Sequence, residues 1–265
     1  MWGEVTPAER LRSVTRRNVD DDHLAIEAAD ALAGFASEPA SLVVACRRVL
    51  AHHPAHGALW WVCARILAAA EPVAAARAAI HDLEHDRTPD RVGASLPLLD
   101  EGEVVAVIGW TGVIDDALVE RFDIDAVAIR VDGSDPVAAL RARRTAHGAR
   151  VVDPWDPSLE RVARLVVSSF AIGPQRALVP AGTGDAIATL GSAAREVWLV
   201  GGVGRVLPGR LYDAMLAEVA ANDEIEEVSL ERFDRVAGPR GLERSADAAA
   251  RPDCPVVPEL LRPLT

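Results

Sequence analysis

Short runs of glycine, hydroxyl and carboxylate residues interrupt the apolar segments in the second half of this sequence. The first run is Gly109-Trp110-Thr111-Gly112, and the second is Asp132-Gly133-Ser134. Glycine lets backbone amides approach an anion closely, and hydroxyl groups bond to phosphate or sugar oxygens. These residue types favour contact with a small ligand. Trp110 could stack on a base or a sugar, although covering the end of a sheet is an equally good reading.

Residues 164–204 contain three further runs of this kind. Ser168 and Ser169 end one apolar segment, and Gly182-Thr183-Gly184-Asp185 opens a helical segment, with Asp185 at the positive end of the helix dipole. Gly202, Gly204 and Arg205 follow the next apolar segment. Arg205 could contact a phosphate, whereas the glycines could simply form a turn. Leu207 stands where a dinucleotide-binding GxGxxG motif needs its last glycine, so a dinucleotide site is the weaker alternative.

Alternating strands and helices must position these runs. The pattern predicts the following order: strand 104–108, helix 115–121, strand 126–131, helix 136–147, strand 150–152, helix 158–163, strand 164–169, strand 197–200, helix 210–221 and strand 227–230. Repeated units of this kind predict an α/β fold with a mostly parallel, doubly wound, Rossmann-like sheet. Ligands of such sheets bind at the carboxyl ends of the strands, which is where the polar runs lie.

Residues 7–85 show a different, purely helical pattern. Apolar residues recur at three- and four-residue spacing through five segments, which predicts an N-terminal helical bundle. Residues 86–103 are richer in proline, glycine and charge and mark a boundary. We therefore expect a helical domain over residues 1–95 and an α/β domain over residues 96–265, with a tail from residue 239 that is rich in proline and arginine.

Composition narrows the choice of partners. The formal net charge is −12, which opposes binding to nucleic acid and to anionic membranes. All 28 basic residues are arginine, so neither a Schiff-base lysine nor a P-loop lysine is available. Any phosphate must therefore be held by arginine and by backbone amides.

The cysteines and the apolar segments predict a cytoplasmic protein. Cys46, Cys63 and Cys254 are too widely separated to suggest a disulfide framework or a CxxC pair, and we expect buried thiols. The apolar run from residue 58 to residue 70 is too short to span a membrane and contains Arg65. The N-terminal residues lack the pattern of a signal peptide.

Two other motifs have both a catalytic and a structural reading. His81 and His85 have the HxxEH spacing of a zinc site, but they also fit the polar end of an amphipathic helix, and no third ligand is evident. Asp153 and Asp156 could act as acid and base, or Asp156 could cap a helix that begins at Pro157. The acidic run at residues 222–227 reads as a solvated helix end. We expect neither a metal nor a cofactor.

Two longer segments resemble a known family. Residues 53–61, HPAHGALWW, and residues 168–183, SSFAIGPQRALVPAGT, are similar to motifs of the initiation factor 2B alpha/beta/delta superfamily. That superfamily includes methylthioribose-1-phosphate isomerase and ribose-1,5-bisphosphate isomerase. The resemblance implies a sheet of the NagB/RpiA/CoA-transferase-like type, a sugar phosphate or nucleotide as ligand, and a homodimer formed through the sheet domain. It also gives His53 or His56 a binding role.

The resemblance does not extend to the catalytic residues of the isomerases. Those enzymes use a cysteine and an aspartate, and here Trp110 or Thr111 and Ser169 stand at the matching positions. Tryptophan and serine do not transfer protons at neutral pH without help. We therefore expect a divergent member that binds a ligand without the usual isomerase chemistry. The alternatives are an active isomerase that uses Asp153 or Asp185, and a noncatalytic scaffold or regulatory subunit.

Overall fold

The computed structural model describes residues 6–16, 22–133, 148–190 and 193–264. The chain divides into two compact units. The first comprises Met1–Asp86, Val203–Ala221 and Pro252–Thr265, and the second comprises Arg87–Gly202 and Asn222–Arg251. The predicted boundary near residue 95 rests on the sequence and stays a prediction. No helix within the described ranges is long and apolar enough to cross a membrane.

The first unit is a set of packed helices. Along the chain these are α1 (Pro7–Arg16), α2 (Asp22–Ala33), α3 (Pro39–His52), α4 (Gly57–Ala68) and α5 (Pro72–Glu84). Nine of the twelve residues of α4 are buried, including Trp60 and Trp61, so this helix has almost no solvent face. Later segments of the chain join the same unit. Leu264 donates its backbone N–H to the Glu218 carboxylate (2.8 Å), and the Arg47 guanidinium donates to the Glu259 carbonyl (2.9 Å).

The second unit contains a seven-stranded sheet formed by described residues. Its elements, in chain order, are α6 (Thr88–Ser95), β1 (Val104–Ile108), α7 (Gly112–Leu118), β2 (Ala126–Ile129), β3 (Arg150–Val152), β4 (Val162–Ser168), β5 (Ala171–Ile172), β6 (Arg176–Pro180), α8 (Thr183–Leu190) and β7 (Val197–Val200). After α9 (Gly209–Val219) of the first unit, it continues with β8 (Ile225–Ser229), β9 (Arg235–Gly238), β10 (Gly241–Arg244) and α10 (Ser245–Ala249). The strand order of the large sheet is β10-β9-β7-β4-β1-β2-β3.

All pairings in the large sheet are parallel except that of β9 with β10. The strands β1, β2 and β7 are buried along their whole length, as expected for a parallel sheet covered on both faces. The predicted mostly parallel α/β fold is therefore confirmed. A smaller antiparallel sheet, in the order β5-β6-β8, follows the end of β4.

Several predicted elements are wrong. The helix predicted at 158–163 is a single 3-10 turn, Pro157–Leu159, after which β4 begins at Val162. Residues 222–227 do not end a helix, since β8 begins at Ile225 and belongs to the small antiparallel sheet. Part of the predicted tail forms β10 and α10. The predicted helix at residues 136–147 lies outside the described residues.

Candidate functional site

The loops that follow β1 and β4 meet at the carboxyl edge of the large sheet. The Thr111 and Ser168 hydroxyl oxygens are 3.3 Å apart, and either can be the donor. Thr111 precedes the first residue of α7, and its hydroxyl does not bond to the helix amides. Ser168 ends β4 and is buried. Two hydroxyl groups that are distant in sequence therefore lie at one place, as the sequence predicts for strand ends of a parallel sheet.

Gly109 and Gly182 let the neighbouring loops approach one another. Gly109 has φ = 73°, and a Cβ atom there would lie 3.2 Å from Ser168 Cβ and 3.3 Å from Pro180 Cγ. Gly182 has φ = 86°, and a Cβ atom there would lie 3.2 Å from the Asp132 amide nitrogen. Both glycines therefore need a left-handed conformation and have little room for a side chain.

Gly133 connects the loop after β2 to the loop after β6, which contains Gly182. Its N–H donates to the Ala181 carbonyl at 2.9 Å, and the Ala181 N–H donates to the Glu224 carbonyl at 2.9 Å. A Cβ atom on Gly133 would lie only 2.0 Å from the Glu224 oxygen. The loops after β1, β2, β4 and β6 thus form one continuous cluster, which we call the carboxyl-edge cluster and define as residues 109–112, 131–133, 168–169 and 180–183.

Three of the predicted site residues have structural partners for their side chains. The Trp110 side chain is buried in the apolar core, and its indole N–H donates to Asp115. The Ser169 hydroxyl donates to the Val200 carbonyl at 2.8 Å, and the Thr183 hydroxyl donates to the Pro180 carbonyl at 2.5 Å. These bonds hold the loops in place. Within the cluster, Thr111 and Ser168 are the hydroxyl side chains that bond to each other rather than to the backbone.

Two carboxylates, those of Glu226 and Asp185, lie at the first turn of α8. The Glu226 side chain on β8 accepts a hydrogen bond from the Gly184 N–H at 2.5 Å, and Asp185 lies exposed in the same turn. An acid at this end of a helix is favoured by the helix dipole. The position of Glu226 at this helix was not predicted, because the acidic run at residues 222–227 was interpreted as the end of a helix. The β-branched residues Ile225 and Val228, which flank this glutamate, are the signal that favours a strand.

The remaining predicted residues fall outside the carboxyl-edge cluster. Gly202 belongs to the second unit, whereas Gly204 and Arg205 belong to the first. Gly204 has φ = 78°, and a Cβ atom there would lie 3.0 Å from the Trp61 indole, so its close approach is to a side chain of α4. Arg205 is buried. Ser134 lies outside the described residues. Gly112 belongs to the cluster but packs loosely, since a Cβ atom there would meet nothing within 4 Å.

Two arginines that could have held a phosphate are engaged in ion pairs. Arg130, after β2, pairs with Asp153 at 3.2 Å. Arg176 begins β6 and pairs with Glu227 of the adjacent strand β8 at 2.5 Å. The described residues of the cluster therefore offer hydroxyl groups, backbone amides and the exposed carboxylate of Asp132 to a ligand, and these two guanidinium groups are already in ion pairs.

The other chemical motifs have local structural roles. The His81 and His85 rings lie 4.1 Å apart, and His85 Nδ1 is 2.9 Å from the His81 carbonyl of the preceding turn. No group of three or more His, Cys, Asp or Glu side chains in the described ranges could hold a metal ion. Asp156 accepts hydrogen bonds from the Ser158 hydroxyl (2.6 Å) and amide (2.8 Å), and these bonds lower the pKa of its carboxyl group. Its low pKa suits a cap rather than a general acid.

The histidines and thiols of the first unit are likewise part of its packing. His56 precedes α4 and accepts from the Leu59 N–H at 3.4 Å, while His53 Nε2 lies 3.0 Å from the Val14 carbonyl. Cys46 and Cys63 are buried, and burial raises the pKa of the Cys46 thiol well above its usual range. Burial also raises the pKa of the Cys254 thiol to about 12.

This arrangement defines a class of protein: a helical unit accompanied by a parallel α/β sheet with a loop cluster at its carboxyl edge. The same fold occurs in solved structures of translation initiation factor 2B subunits and of a sugar-phosphate isomerase. No family model matches the chain, and no curated protein sequence matches it.

Three solved structures illustrate the likeness. The translation initiation factor eIF-2B of Pyrococcus horikoshii OT3 has a TM-score of 0.71 and 13% identity, covering 92% of this chain and 98% of that one. The eIF2B beta subunit of Chaetomium thermophilum has a TM-score of 0.64 and 14% identity, and the match covers 92% of this chain and 89% of that one. The 5-methylthioribose 1-phosphate isomerase of Pyrococcus horikoshii OT3 has a TM-score of 0.60 and 12% identity, and the match covers 92% of this chain and 86% of that one. The fold expected from the resemblance is thus confirmed.

Proposed function

We propose that this chain is a divergent initiation factor 2B-like protein that binds a small phosphorylated metabolite, a sugar phosphate or a nucleotide, at the carboxyl-edge cluster. The hydroxyl pair of Thr111 and Ser168 carries the proposal, because it lies beside Gly109 at the carboxyl ends of β1 and β4, which is the place where α/β sheets bind ligands. A phosphate oxygen would accept hydrogen bonds from these hydroxyl groups, whereas a sugar hydroxyl could either donate to them or accept from them.

The proposed function does not include the isomerase reaction. Trp110 or Thr111 stands where the resembled isomerases have a cysteine, and Ser169 stands where they have an aspartate. The Trp110 and Ser169 side chains bond to neighbouring protein groups, and Thr111 carries a hydroxyl group in place of a thiol. Proton transfer next to a carbonyl needs a titratable group within reach of the substrate. The side chains of the hydroxyl pair do not titrate near neutral pH.

A thermal-shift experiment tests this proposal. Ribose 5-phosphate and nucleoside monophosphates should raise the melting temperature of the wild-type protein. Thr111→Val removes one hydroxyl group at nearly constant volume, and we expect it to weaken binding roughly tenfold or more. Thr189→Val is the matched control, because the Thr189 hydroxyl bonds to the Asp185 carbonyl of its own helix. The proposal fails if no compound stabilises the protein, or if both variants respond as the wild type does.

The alternative function is an active isomerase that uses Asp153 or Asp185, of which Asp185 lies exposed next to the cluster. Turnover of a pentose 1-phosphate that is lost in Asp185→Asn would favour that enzyme. A protein that is stabilised by sugar phosphates but does not convert them would favour the binding function.

A further inference from the structure

A polar pocket lies in the sheet unit, at the edge opposite the carboxyl-edge cluster. Its volume is about 550 Å³, and it is lined by Arg235, Leu242, Glu243, Arg244, Asp247, Ala250 and Arg251. Arg235 begins β9, which runs parallel to β7, so the pocket opens at the amino ends of the strands. We call it the arginine pocket. The proposed ligand of the carboxyl-edge cluster does not account for it.

The hairpin of β9 and β10 sets two like charges against each other. Arg244 and Arg235 are direct partners in the antiparallel ladder, so their side chains leave the same face of the sheet. Like charges directly opposite one another destabilise a ladder. An anion bound between them would remove this repulsion. This hairpin therefore favours an anion on that face.

Protein carboxylates do not fully neutralise this pair. Arg235 lies 3.9 Å from Glu196, which also pairs with Arg164 at 3.4 Å and accepts from the Trp198 indole at 2.9 Å. Arg244 is exposed and has no ion pair within the described parts of the chain. Among the described residues, the 3.9 Å contact of Arg235 with Glu196 is thus the only ion pair that either of these two guanidinium groups makes.

The other carboxylates of the pocket leave a positive excess. Glu243 is bound by two arginines, Arg240 at 3.1 Å and Arg251 at shorter range. Asp247 is the second acidic residue of the lining, against three arginines. The chain as a whole carries a net charge of −12, so a local excess of arginine is notable in this surface. Leu242 and Ala250 supply apolar contact for the organic part of a ligand.

We propose that the arginine pocket is a second, separate binding site for a phosphate group, either free or in a phosphate monoester, held between Arg235 and Arg244. Guanidinium groups bind phosphate oxygens in pairs of parallel hydrogen bonds, and two opposed guanidinium groups suit a doubly charged tetrahedral anion. Binding relieves the repulsion across the hairpin.

Calorimetric titration of the full chain at low ionic strength tests this proposal with inorganic phosphate and with glycerol 3-phosphate. Wild-type protein should show saturable binding that Arg244→Ala weakens by about tenfold to hundredfold and Arg244→Lys weakens less. Arg87→Ala is the control, since Arg87 is an equally exposed arginine that pairs with Asp90. Tighter binding of glycerol 3-phosphate than of phosphate identifies a monoester site, and the reverse order identifies a phosphate site.

Two results would overturn the second site. One is an absence of saturable binding up to about 10 mM of either compound. The other is binding that Thr111→Val abolishes and Arg244→Ala leaves unchanged, because that signal comes from the carboxyl-edge cluster. Phosphate should also protect Arg244 from modification by phenylglyoxal, as measured by mass spectrometry, which is a readout that does not depend on a variant.

Discussion

At the scale of single residues, the carboxyl-edge cluster depends on its glycines as much as on its polar side chains. Gly109, Gly133 and Gly182 each bring a loop within van der Waals contact of the next loop. Gly109 and Gly182 also have positive φ, whereas Gly133 is held by its close approach to the Glu224 carbonyl. A binding site made of backbone and hydroxyl groups requires this close packing, because the amides must be brought near one another.

Gly133→Ala is expected to destabilise the protein strongly. The added methyl group would lie 2.0 Å from the Glu224 oxygen and 2.3 Å from the Ala181 nitrogen, so two loops must separate. Overpacking of this kind costs about 1–3 kcal/mol. The matched control is Gly112→Ala, where a Cβ atom has open space in the first turn of α7 and alanine favours the helix by up to about 1 kcal/mol. Urea unfolding followed by circular dichroism measures both, and equal midpoints would contradict the prediction.

The sequence identifies the polar groups of the cluster but not their use. Thr111 and Ser168 follow apolar segments, and the rule that strand ends share one edge brings them together. The hydrogen bonds from Ser169 to the Val200 carbonyl and from Trp110 to Asp115 decide which groups are left for a ligand. Those partners depend on loop conformation, which a pattern of residue types does not specify.

At the scale of elements, α8 is stabilised by a strand that is distant in sequence. Glu226 of β8 bonds to the Gly184 N–H at the start of this eight-residue helix. A short helix has few hydrogen bonds of its own, so each bond at its ends matters.

Glu226→Ala is therefore expected to lower the free energy of unfolding by about 0.5–2 kcal/mol, the usual cost of losing a cap. Glu226→Gln keeps an oxygen acceptor and should cost less. Glu231→Ala, an exposed glutamate on the turn after β8, serves as the control. If chemical denaturation gives the Glu226→Ala and Glu231→Ala variants the same free energy of unfolding, the Glu226 carboxylate does not stabilise the helix.

Strands were predicted correctly where a short run of apolar or β-branched residues marks them, and were missed where their pairing partners define them. β1 and β3 have the predicted bounds, because each is a short apolar or β-branched run followed by a turn. β6 was not predicted, since it ends in Pro180 and gains its partners only from β5 and β8. β9 and β10 contain arginine and glutamate among few apolar residues, and their sequences alone do not distinguish a hairpin from a surface loop.

At the scale of the whole molecule, the resemblance implies that two copies associate through the sheet unit. We expect size-exclusion chromatography with light scattering to give about twice the 28.2 kDa mass of one chain. Because the chain carries a net charge of −12, self-repulsion is screened by salt, and the dimer should be at least as stable at 0.5 M salt as at about 0.05 M. A mass of one chain at micromolar concentration in both buffers would contradict this expectation.

The small antiparallel sheet also has a consequence for the order in which this protein folds. Arg176 of β6 and Glu227 of β8 pair although they are 51 residues apart in sequence, and the helix α9 of the first unit lies between them in the chain. Contacts across such long separations form slowly, since the loop between them must close first. During synthesis, β6 emerges well before its partner β8, so the loop that carries Gly182 reaches its native conformation only after residue 229 has been added. The carboxyl-edge cluster is then a late product of folding, and a chain that stops before β8 lacks it.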